Sequence, residues 1–176
     1  MPRLRNLLVG LAAFGAALAP SALARDAGWS ALERPLHLPH LVPGTACPIS
    51  HSDAAVDFGQ FGIARGLGSG PAYPILPRGI LPLVPAADGG RWAAQKVLWF
   101  VHPRYRGPVL VRGRRLDGSG LVRFDRGVVP APELRLPAGT TERPSFTRLR
   151  AAGCYAYQID GEDFSRVIVF RATGQM

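Results

Sequence analysis

After residue 90 the chain settles into short apolar runs, each closed by proline, glycine or a charged turn. The runs at 96–101 (KVLWFV), 108–112 (PVLVR), 121–124 (LVRF), 154–159 (CYAYQI) and 166–171 (RVIVFR) are rich in β-branched and aromatic residues and too short for helices, so they predict strands. At 146–150, Phe146, Arg148 and Arg150 alternate with Thr147 and Leu149, which predicts one more. At 133–136, Glu133 and Arg135 alternate with Leu134 and Leu136 between Pro130, Pro132 and Pro137. Proline cannot donate to a ladder, so this run predicts an edge strand. Asp117-Gly118 stands where a hairpin needs residues that accept a positive φ, and Asp160-Gly161-Glu162-Asp163 makes the turn between the last two strands. One helical turn is allowed over 90–95, but no sustained 3.6-residue period occurs beyond residue 24, which argues against alternating βαβ units. The pattern predicts an all-β antiparallel sandwich or barrel.

Residues 25–90 read differently. Nine prolines from Pro35 to Pro85 interrupt every apolar run there, and glycines crowd 59–70. No long helix survives that density, so the segment predicts a Pro/Gly-rich extended arm wrapped on a sandwich core at 91–176, with 25–176 forming one structural domain.

The first 24 residues have the three parts of an export signal: basic Arg3 and Arg5, an apolar run over 7–19, and small Ala22 and Ala24 before Arg25. The run is about 13 residues, short of the roughly 20 that span a bilayer as a helix. The expectation is a signal peptide over 1–24 and a secreted protein, extracellular or periplasmic, with no transmembrane span after cleavage. Cleavage leaves 152 of the 176 residues, the size of one domain.

Export gives meaning to the two cysteines. Cys47 and Cys154 in an oxidising compartment predict a disulfide, whose loop of about a hundred residues gives an upper figure of roughly 4–5 kcal/mol in the chain-entropy model. The net charge of +9 becomes +7 once Arg3 and Arg5 are removed. Twenty of the 21 basic residues are arginine, a skew that GC-rich coding explains. No polybasic block forms and export removes the protein from nucleic acid, so the positive charge points at most to an anionic extracellular or envelope partner.

The stretch Leu149-Arg-Ala-Ala-Gly-Cys-Tyr-Ala-Tyr-Gln-Ile resembles the penultimate strand of immunoglobulin-like β-sandwiches, where a tyrosine closes a tight corner. The resemblance implies that Tyr155 or Tyr157 makes the corner hydrogen bond, that 166–171 is the last strand, and that Trp99 packs the core. It departs from the usual pattern because Cys47 lies in the arm, so the implied fold is a variant sandwich stapled to its arm. Three segments also resemble an uncharacterised group of small secreted bacterial proteins: Gly70-Pro71-Ala72-Tyr73-Pro74, then 107–113 with Leu116-Asp117-Gly118, and 153–170, which carries G-C-Y-A-Y-Q-x-D-G and V-I-V-F. That resemblance implies export, paired cysteines and fold, with no activity attached.

The chemistry-bearing residues fit no standard site. His37, His40, Cys47 and His51 lie within 15 residues and are the metal candidates by residue type, but Pro39 breaks the helical spacing and disulfide formation removes the Cys47 thiolate. Asp160, Glu162 and Asp163 share a turn shorter than the roughly 12-residue calcium loop. Neither Gly68-Ser69-Gly70 nor Gly118-Ser119-Gly120 is a nucleophile elbow, and 66–70 lacks the Gly-Lys-Ser/Thr of a phosphate loop. No cofactor and no catalytic residue is expected. The leading expectation is a secreted, non-catalytic β-sandwich protein that binds an extracellular or envelope partner. The alternatives are a small hydrolase using His102 with Asp117 or Asp125, and a metal-handling arm.

Overall fold

The computed structural model describes residues 28–174 except 43 and 86–90, so the expected signal peptide lies outside the described residues. Among the described residues nine strands form: β1 Ala72–Ile75, β2 Ile80–Pro82, β3 Ala93–Val101, β4 Val109–Arg115, β5 Arg123–Phe124, β6 Leu134–Leu136, β7 Glu142–Leu149, β8 Gly153–Asp160 and β9 Ser165–Thr173. They build two sheets, ordered β1-β3-β7-β5 and β2-β9-β8-β4-β6. All named pairs are antiparallel except β2 with β9, which run parallel. The protein is therefore all-β and two-sheeted, with β1 and β2 contributed by the Pro/Gly-rich segment.

The core follows from strand alternation. In β8, Tyr155, Tyr157 and Ile159 point inward, and in β3 the inward residues include Val97, Trp99 and Val101. Trp99 is fully buried, as expected, with its ring 5.1 Å from Tyr157 in an edge-to-face contact. Tyr157 in turn stacks 4.4 Å from Phe170 and hydrogen-bonds Thr147 Oγ1 at 2.7 Å, and burial raises its pKa above the ordinary value of 10. The corner hydrogen bond falls to Tyr155, whose hydroxyl donates to Ala151 O at 2.8 Å. Gly113 of β4 sits opposite Tyr157, and a Cβ there would stand 2.4 Å from Ala156 O, so glycine permits the close approach of β4 to β8.

The helical turn allowed over 90–95 does not form where the chain is described. Residues 93–95 extend β3 and pair with Leu149, Arg148 and Thr147, while Ala94 N donates to Val84 O. Two alanines and a glutamine have modest intrinsic preferences, and ladder pairing on both sides outweighs them.

Two short segments pass from one sheet to the other. Residues 80–82 pair with β9, and Val84 then bridges to Ala94 of β3. At the opposite edge Leu121 bridges to Arg114 of β4, and Arg123–Phe124 then pairs with β7. Such switching strands join the sheets at their corners and shorten the exposed edges.

The arm packs on part of each outer face. Over the second sheet, Leu38 and Leu41 pack against Leu116, Cys154, Ala156 and Val169, and Cys47 is disulfide-bonded to Cys154 across a Cα–Cα distance of 5.4 Å. This cover explains why β8 is buried on both faces from Cys154 to Asp160. Over the first sheet, Phe58 and Phe61 meet Phe100 at centroid distances of 6.0 and 5.0 Å, and Phe58 meets Tyr73 at 5.1 Å. A polar staple fixes the start of the arm. Asp160, fully buried, accepts from Arg112 Nη2 at 2.8 Å, Ser165 Oγ at 2.6 Å and Gln158 Nε2 at 3.0 Å, with Arg34 Nη1 at 3.6 Å. Arg112 also donates to Arg34 O, Gln158 Nε2 donates to Pro35 O at 3.0 Å, and His37 N donates to Gln158 Oε1 at 2.7 Å. Main chain at 34–37 thus finds partners on the outer face of β4 and β8.

Candidate functional site

The histidines and acids singled out in the sequence are dispersed. His37 uses its backbone amide on Gln158, His40 borders a concavity beside the 116–120 hairpin, and His51 accepts through its carbonyl from Gly68 N at 2.8 Å. Among the described residues no three of His, Cys, Asp and Glu come together in an arrangement that could hold a metal. His102 follows β3, where its Nδ1 accepts from Arg104 N at 3.2 Å and its ring stands 5.5 Å from Phe61. Asp125 accepts from Ser145 Oγ at 2.8 Å, and Ser145 pairs with Val97, five residues along β3 from His102, or roughly 16 Å of strand.

Asp117 is occupied as well. It holds the 116–120 turn, which forms without the expected positive φ at Asp117 or Gly118, by taking Arg115 Nε at 2.6 Å and the Cys154 amide at 3.1 Å. Burial raises its pKa, but these two donors outweigh burial and leave the carboxyl below its ordinary 3.8. A folded-state pKa below the unfolded one means that the stabilisation is complete above the unfolded value and is lost as pH falls through the folded value. Asp117→Asn is therefore expected to flatten the acid limb of melting temperature against pH between about pH 5 and about pH 2. An acid limb identical to that of the unmodified chain contradicts the assignment.

The chemistry that the structure does assemble lies on the outer face of the first sheet. In β5 Phe124 points into the core, so Arg123 points out; in β7 Thr147 and Leu149 point in, so Arg148 points out. The register sets Arg123 directly opposite Arg148. Arg150 continues the row, its guanidinium 4.3 Å above the ring of Trp92, and Arg91 precedes Trp92 at the entry to β3.

A loop walls this row. Asp125 with φ 59° and Gly127 with φ 121° turn the chain back, and Phe124 and Ala131 exchange both backbone hydrogen bonds at 2.9 and 3.0 Å. The closure lifts Val128 and Val129 to the crest, 89% and 88% exposed. Together these residues enclose an open concavity of about 700 Å³, in which four arginines (91, 123, 148 and 150) and Trp92 face the Val128 to Pro132 wall. Arg148 is buried beneath it and donates to Asp125 O at 3.4 Å. Among the described lining residues there is no carboxylate. Next to it, Arg126 lies 5.1 Å over the Phe146 ring, in a second hollow that Lys96 also lines.

This arrangement suits anion binding, because several guanidinium groups in a walled concavity focus positive potential and offer planar forks to phosphate, sulfate or carboxylate. The described lining holds no nucleophile with a base beside it. In the sequence these arginines are indistinguishable from the general arginine skew that GC-rich coding explains. The spacing of Arg148 and Arg150 did place those two on one strand face, but only the β5–β7 register adds Arg123.

The fold and site together define a two-sheet all-β protein with a basic concavity on one face. It is similar to the X-ray structure of a "Putative Lipoprotein from Bacillus anthracis", with a TM-score of 0.50 and 10% identity, over 74% of this chain and 88% of the other. At that identity the likeness is one of fold. No family model matches the chain, and no curated protein matches it.

Proposed function

We propose that the protein is exported to the envelope or the extracellular space as a non-catalytic binding module, and that it holds an anionic partner in the arginine-lined concavity. The observation that carries this reading is that Arg91, Arg123 and Arg150 gather with Trp92 at one walled concavity. Export is supported by the signal-like segment and by the disulfide, a bond that oxidising compartments maintain.

An immunoglobulin-like sandwich is part of the same reading. The neighbours β1-β3-β7 and β9-β8-β4 follow the A-B-E and G-F-C orders of that fold, and Tyr155 closes the corner before the penultimate strand. Against the usual pattern, β5 precedes β6 and the disulfide ties the arm to β8.

Protein purified after export is expected to bind polyphosphate, read by Trp92 fluorescence, with an affinity that falls steeply as salt rises. Arg123→Gln with Arg150→Gln should weaken binding by about ten-fold or more, since each lost charged contact is worth roughly 1.5–3 kcal/mol before solvent screening. Affinity unchanged in the double variant rejects the site.

A further inference from the structure

The concavity has a property that an anion alone does not use. Its wall ends in two adjacent β-branched side chains, Val128 and Val129, the most exposed large hydrophobic residues described in the molecule at 89% and 88%. They stand immediately after exposed Arg126 and Gly127 and on the same concavity as the four arginines. Water penalises such a crest, and a soluble phosphate or sulfate in the hollow below would leave it exposed. A neutral sugar ring would seek the face of Trp92, but the Arg150 guanidinium occupies a place 4.3 Å above that ring.

Resting on the anion-binding reading, we propose that the partner is an anionic lipid surface, met by the 125–132 loop with the arginine row around it. A bilayer with anionic headgroups answers both halves of the patch at once. Its phosphate plane meets Arg91, Arg123, Arg126 and Arg150, while the boundary with the acyl chains receives Val128 and Val129. Arginine suits this depth because its aliphatic stem packs along apolar surface while the guanidinium stays at the phosphates. Two weak signals, a basic cluster and a small apolar insertion, make a reversible peripheral contact. The described residues contain no helix long and apolar enough to cross a membrane, and this contact requires none. The overall net charge of +9, or +7 after loss of the first 24 residues, adds long-range attraction to the same surface.

The test uses exported protein and sedimentation with two kinds of vesicle, phosphatidylcholine alone and phosphatidylcholine with roughly a third phosphatidylglycerol. Polyphosphate titration runs in parallel. The unmodified protein is expected to sediment with the anionic vesicles only, and less as salt rises. Val128→Ser with Val129→Ser should lower vesicle partitioning by about ten-fold, several-fold more than it lowers polyphosphate affinity. Because both valines are exposed, the double variant should keep its melting temperature, and circular dichroism checks that it does. Arg123→Gln with Arg150→Gln should weaken both kinds of binding.

Polyphosphate binding without vesicle binding, or a serine variant that partitions like the parent, overturns the lipid proposal and leaves the anion reading standing. Failure to bind either probe overturns both. Self-association in ultracentrifugation that the serine variant abolishes, with no vesicle binding, assigns the crest to a second copy of the chain and overturns the lipid proposal.

Discussion

Asp160→Ala is expected to lower the unfolding free energy by about 3–5 kcal/mol, measured by guanidinium titration, the range for breaking a buried charge network by removing one partner. Asp160 has no exposed surface, so its oxygens find partners only in the donors around it: Arg112, Ser165 and Gln158 within 3.0 Å and Arg34 at 3.6 Å. Without the carboxylate, Arg112 stays partly buried with its charge uncompensated, and its Nε has no hydrogen-bond partner among the described residues. The loss is also local. His37 N donates to Gln158, and Gln158 is held by Asp160 and Pro35, so exchange of the His37 amide should accelerate more than that of amides in β3. A loss below about 0.5 kcal/mol, the scale of ordinary surface substitutions, would show that the network does not hold the arm.

Removing the disulfide is the second large effect. With Cys47 and Cys154 separated by 107 positions, the chain-entropy model gives about 4.7 kcal/mol as an upper figure for a loop of about that length. Cys47→Ala with Cys154→Ala is expected to lose about 2–5 kcal/mol, and reductant should produce a similar loss in the parent and none in the double variant. The arm also remains anchored by Leu38, Leu41 and the Asp160 network, so the double variant should fold with its sheets intact. A double variant as stable as the parent would mean that the unfolded chain is already held compact by other contacts.

Strands at 96–101, 154–159 and 166–171 were legible because each is a run of strand formers bounded by turn residues, and each appears inside a longer β3, β8 or β9. The pairing of Cys47 with Cys154 followed from there being only two cysteines in a chain that begins with an export-like segment. β1 and β2 were not legible. Ala72–Ile75 contains Pro74 and Ile80–Pro82 ends in proline, and only the neighbouring strands β3 and β9 supply ladders that tolerate such edges.

The site was less visible than the fold. His37, His40 and His51 drew attention by residue type, yet the chain carries them to different partners, because proximity in an extended arm is not proximity in space. The arginines showed the opposite behaviour. Arg91, Arg123, Arg148 and Arg150 span 60 positions and look scattered in the sequence, but cross-strand register and a loop closed at Phe124 and Ala131 bring them to one concavity.

What the sequence by itself determined is local: alternation that separates core from surface, turn residues that end strands, and two cysteines whose chemistry depends only on compartment. Tertiary structure decided which sheet each strand joined, which outer face the arm covered and which charges met. Those outcomes depend on register and on contacts between distant segments, and a period-two pattern carries no information about which neighbour a strand will choose.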